Sequence, residues 1–179
     1  MSEPHGLAAD APAGWHVAVS RRPGGLPSTL AERRTGAAPA LEEVTRPVLH
    51  ACTRPLPDDR GDFGSGVVDL LGPDDVFVAL VDYGSEVADV GLFANQGMPR
   101  LAPSQFGPNR LQRPLPGLSA SQHFFSEGGR AFCLFTVLGS HARRMASVQR
   151  AAALVRTVRI TDLDTLVRQG GRPWARSRT

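Results

Sequence analysis

Gly139-Ser140-His141, with Arg143 and Arg144 close behind, is the arrangement in this 179-residue chain best suited to hold a charged ligand. A serine that opens a helix leaves backbone N–H groups pointing outward, and arginines beside them can grip phosphate or carboxylate in two places. The ordinary alternative is a serine cap followed by solvated arginines, and it carries more weight. Ser140, His141, Arg143 and Arg144 therefore stand as a candidate anion site.

His50-Ala51-Cys52 sets an imidazole two residues from a thiol, the pair that nucleophilic catalysis uses. No acidic side chain is in evidence to orient the histidine, so the two read as loop residues. His16, His50, His123 and His141 lack the spacing of metal ligands on one helix face, and neither a metal nor a cofactor is expected. Asp58, Asp59 and Asp62, like Asp74 and Asp75, fall in turns rich in Pro and Gly, where aspartate is common. The sequence has no GxGxxG, Walker or GxSxG element, which removes the usual nucleotide-binding and α/β-hydrolase readings.

Cys52 and Cys133 form no CxxC unit, and a disulfide between them would need an oxidising compartment. Cys133 lies in an apolar run and is expected to be a reduced core residue. Phe106 and Arg113, in a long irregular stretch, and Trp174, among arginines at the C-terminus, are candidate contacts for a partner.

The elements that must position these residues are clearest between 122 and 160. Gln122 to Phe125 and Arg130 to Leu138 predict a hairpin turned at Glu127-Gly128-Gly129. The second strand is apolar at both alternations, so it is expected to be central and covered on both faces. Ser140 is the expected cap of a helix from His141 to Val155, with Met145, Val148, Ala152 and Val155 toward the sheet and Arg143, Ser147 and Arg150 away from it. Val158-Arg159-Ile160 predicts a short last strand.

Upstream, Trp15 to Val19 and Val76 to Val81 predict strands, and Val87 to Phe93 a return strand from the second. Thr29 with Glu32 fits a capping box, and residues 41–45 a further short helix before Pro47. Residues 1–13 are expected to be disordered. Residues 94–121 carry Pro and Gly without a sustained period; Leu101, Phe106, Leu111 and Leu115 suggest a packed cover rather than a mobile lid.

All twenty basic residues are arginines, with a single Ile and two Asn, the signature of a GC-rich genome rather than of arginine chemistry. The net charge is +3, yet residues 168–179 hold four arginines and no acid, leaving the remainder at −1. That tail could make a weak electrostatic contact with nucleic acid. No run approaches the roughly 18 apolar residues of a membrane span, and the first five residues lack the pattern of a secretory signal. A cytoplasmic protein is expected.

The stretch GGRAFCLFTVLGSHARRMASVQRAAALVRTVRI, with Gly14-Trp15 and Gly72-Pro73-Asp74-Asp75-Val76-Phe77-Val78 upstream, resembles small, mostly uncharacterised actinobacterial α+β domains. At fold level it is more loosely similar to the PsbP-like sandwich. The likeness covers residues 14–162, implies a shape, and transfers no active site.

The expected fold is thus α+β: a single domain over 14–162 with a basic tail at 163–179. Its antiparallel sheet of five to six strands carries one main helix, about 141–155, on one face, with short helices or loops on the other. The expected function is a non-catalytic accessory module acting on a protein partner. Alternatives are a small hydrolase or transferase working under the 94–121 connection through His123, Arg113 or nearby polar groups, and a nucleic-acid binder acting through the tail.

Overall fold

Nine consecutive residues, Arg130–Leu138, are buried on both sides, and the rest of the fold is arranged around them. The computed structural model describes residues 4–23, 45–110 and 115–168. In chain order its regular elements are β1 (Leu7–Ala9), β2 (His16–Pro23), β3 (Thr45–Cys52), β4 (Val76–Gly84), β5 (Ser119–Glu127), β6 (Arg130–Leu138), α1 (Arg144–Val155), β7 (Val158–Ile160) and α2 (Leu163–Arg168). The fold is α+β. A five-stranded antiparallel sheet runs β2-β3-β4-β6-β5, and β1 pairs with β7 in a second sheet of two strands.

The β5–β6 hairpin forms as its sequence predicts. Gly128 and Gly129 make a two-residue turn with φ of 58° and 73°, a conformation that side chains with a Cβ rarely adopt. Alternation then divides the strands between two cores. Leu49, Ala51, Val78, Leu80, Phe132, Leu134 and Leu138 pack with Val148, Ala151, Leu154 and Val155 of α1. Val48, Cys52, Phe77, Ala79, Val81, Cys133, Phe135 and Val137 face the other way, against Phe63, Val67 and Leu71 of the 53–75 loop and Leu118.

Several expectations need correction. Residues 4–13 are not disordered: Leu7 is fully buried, and β1 is held by three register pairs to β7 at the far end of the chain. β3, which Pro47 and the polar residues around it disguised as loop, is an inner strand; Pro47 lies opposite Arg21, beyond the part of β3 that pairs with β4. Residues 87–93 do not return as a strand, because β4 already has β3 and β6 on its two sides. They form turns and a single 3-10 turn at Gly91–Phe93.

The main helix starts at Arg144, three residues later than expected, with Arg143 rather than Ser140 at its cap. The buried face also differs from the expected stripe. Ser147, Val148, Ala151, Leu154 and Val155 are buried, while Met145 is 60% exposed. The 94–121 connection covers the sheet, but largely on the helix side: Met98, Leu101 and Phe106 join the core that contains α1. The capping box at Thr29 and most of the 41–45 helix lie outside the described residues, and Thr45 begins β3.

Candidate functional site

β5 is an edge strand, and only its ends are covered. The N–H and C=O of Ala120 both bond Gly107, at 3.0 and 3.1 Å. Six residues on, Ser126 accepts from the Gly97 N–H at 2.9 Å and donates its own N–H to the Asn95 carbonyl at 2.7 Å. Its hydroxyl donates to the Phe93 carbonyl and accepts from the Asp89 N–H, both at 2.8 Å. Ser126 thereby pins the whole 89–97 segment.

Between these two anchors the connection bows away from the strand. Backbone groups of an antiparallel strand alternate in direction, so Gln122 and Phe124 present N–H and C=O outward, as Ala120 and Ser126 do. Among the described residues nothing pairs with them. Beside them lies a cavity of about 570 Å³ lined by Leu92, Asn95, Gln96, Gln105, Gln122 and His123, among others. Leu92 is 68% exposed at its border and Val90, in the same segment, 59%.

His123 reaches this cavity, as the alternative enzymatic reading required, yet its Nε2 is buried without a partner. Burial, then the charge of Arg110, lowers its pKa, so the imidazole is neutral. Arg113, the other residue of that reading, lies outside the described residues, as does Trp174. Phe106 is buried at 5% exposure; it anchors the connection into the core and is not open to a partner.

The candidate anion site at Ser140 is assembled differently from the expectation. Arg143 is spent on Asp74, with Nη1 at 2.5 and 2.6 Å from the two carboxylate oxygens. Arg150 adds a bond to the Asp74 carbonyl at 2.5 Å. Arg144 donates to the His141 carbonyl at 3.3 Å, the His141 N–H to the Gly117 carbonyl at 2.6 Å, and Ser140 Oγ accepts the Arg143 N–H at 3.4 Å. These groups close a joint between the 72–75 turn, α1 and β6.

His50 and Cys52 do share one side of β3, but no dyad forms. His50 Nδ1 accepts from Arg60 Nε at 3.0 Å, Nε2 sits 2.9 Å from the Asp62 carbonyl, and the ring stacks on Phe77 at 5.6 Å. Burial raises the Cys52 thiol and lowers the His50 imidazole, which keeps both neutral. Cys52 and Cys133 are both buried, and neither is in a disulfide. Among the described residues no three His, Cys, Asp or Glu side chains gather as metal ligands would.

The most highly charged buried contact is one that sequence reasoning missed. Arg130 and Asp82 pair at 2.9 Å, with side-chain exposures of 1% and 0%. A bulge between Asp82 and Gly84 breaks the β4–β6 register, and Asp82 Oδ1 holds it by accepting the Gly84 N–H at 2.6 Å. Arg130 spans outward from there to the carbonyls of Gly6 and Thr161, at 3.0 and 3.3 Å, with its guanidinium 5.0 Å from the Phe132 ring centre. The available signal was the Asp that ends the apolar run 76–81 and the Arg that opens β6.

No family model, curated protein or solved structure matches this chain. No helix among the described residues is long and apolar enough to cross a membrane.

Proposed function

We propose that the protein is a non-catalytic binding module whose protein partner docks, as an extended segment, on the open edge of β5. The observation that carries this reading is the outward backbone of Gln122 and Phe124, unpaired among the described residues, between two anchored crossings. An edge with free N–H and C=O groups is a template for strand addition, in which the main chain supplies affinity and neighbouring pockets supply selectivity. Exposed Leu92, which lines the cavity beside the gap, gives the partner's side chains apolar surface to cover.

For the enzymatic alternative, His123 Nε2 is covered and Arg113 lies outside the described residues, so neither supplies an observation in its favour. The nucleic-acid alternative depends on the tail, most of which lies outside the described residues.

The test is Gln122→Pro. Proline removes the outward N–H without taking a bond from the β5–β6 ladder, a change that edge positions tolerate. Displayed peptides selected on the native protein should lose binding to this variant while its melting temperature stays close to native. On partner addition, amide exchange at Gln122 and Phe124 should slow. Selected peptides that bind the variant equally well would remove the β5 edge as the docking site.

A further inference from the structure

The 98–100 segment borders a second cleft, also of about 570 Å³, between the connection, the C-terminal end of α1 and β7. Its wall is apolar: Met98, Leu101, Val155 and Val158 line it, and the small side chain of Ala152 leaves it open. Arg100 and Arg156 are the charged residues in that lining. Among the described residues neither guanidinium has an ion pair or a hydrogen bond.

The negative end of α1 does not account for them. The Ala152 carbonyl already accepts the Arg156 N–H at 3.1 Å, and the Leu154 carbonyl accepts both the Thr157 N–H at 2.8 Å and its hydroxyl at 2.7 Å. With those carbonyls bonded inside the chain, the cleft keeps two cations, an apolar wall and no acidic residue in its lining. Such a site is complementary to an anion with an apolar body.

We propose that this cleft binds an alkyl-chain monocarboxylate of the fatty-acid class. Its head lies against Arg100 and Arg156, and its tail along Leu101, Val155 and Val158. The 98–100 segment, Arg100 included, also lines the cavity beside β5, but the bound carboxylate uses none of the open β5 backbone.

The experiment is titration calorimetry of the full chain with dodecanoate and decanoate below their micellar ranges, and with dodecyltrimethylammonium as a cation of equal tail length. Dodecanoate should bind saturably at one site, tighter than decanoate by up to about fourfold per methylene. The cationic amphiphile should show no such site. Arg100→Gln with Arg156→Gln should weaken dodecanoate at least tenfold, Ala152→Trp should abolish binding by filling the cleft, and Gln122→Pro should leave it unchanged.

Both arginines are exposed, so their replacement decides the question even if the tryptophan variant fails to fold. No saturable dodecanoate binding, equal binding of the cation, or affinity unmoved by the double arginine replacement would each overturn the proposal.

Discussion

Arg130 and Asp82 sit 2.9 Å apart, out of contact with solvent, and Arg130 ties β6 to the Gly6 and Thr161 carbonyls as well as to β4. Replacing either partner strands a charge in the core. Asp82→Asn and Arg130→Met should each cost about 3–5 kcal/mol in urea unfolding. The Asp82→Leu, Arg130→Met double variant should recover only part of that, because the Gly6 and Thr161 carbonyls each lose a guanidinium donor. Full recovery would mean that Arg130 acts on Asp82 alone.

Gly139 is a steric joint. A Cβ there would collide with the Gly72 backbone carbonyl, while the Gly139 N–H bonds the Asp75 carbonyl at 2.9 Å. Gly139→Ala should cost about 1–3 kcal/mol, as overpacking against backbone does. Thermal unfolding that is unchanged in this variant would show the joint to be more pliable than its contacts imply.

The observed face of α1 buries Leu154, which the sequence pattern leaves unassigned, and exposes Met145, which that pattern puts toward the sheet. Leu154 is fully buried, so Leu154→Ala should cost about 2–5 kcal/mol. Met145 is 60% exposed, so Met145→Ala should stay within about 0.5 kcal/mol of native. Equal losses would return Met145 to the core.

Acidification should weaken the fold through His50. Burial lowers its pKa from the ordinary 6.5, so below that value the unfolded chain takes up a proton that the folded chain refuses. The stability that the neutral ring supports is complete above pH 6.5 and declines as pH falls toward the lowered folded value. The slope is at most about 1.4 kcal/mol per pH unit. Glu127, whose carboxyl burial raises, works in the opposite direction, so the comparison is made against a variant. The stability gap between the native chain and His50→Gln should narrow from pH 7.5 to 5.5; a constant gap would contradict the assignment.

The parts of the fold governed by local pattern were legible. Val76–Val81, the two strands of the Gly128–Gly129 hairpin and the last strand at Val158–Ile160 announce themselves by apolar runs and a turn that needs glycine. What was not legible depends on distant partners. Leu7 becomes core because Ile160 lies opposite it, and nothing within residues 1–13 encodes that pairing. In α1 the apolar Met145 falls at helical spacing from Val148 and reads as core, while the buried face takes in the polar Ser147, which its residue type does not announce.

The site followed the same division. The 94–121 connection and His123, singled out in the sequence, both border the cavity at β5. The open backbone itself is a property of where the connection touches and where it bows away. It is set by Gly97, Gly107 and Ser126 acting together, and no single residue type marks it.

The spacing of those two crossings also sets a limit on assembly. With residues 120 and 126 already bonded, the exposed ladder is only a few residues long. A short visitor fits, whereas the full edge of another sheet would strike the connection at both ends. The same geometry that leaves room for docking thus works as a stop against runaway strand-to-strand polymerisation, and cutting either crossing should turn a receptive edge into a sticky one.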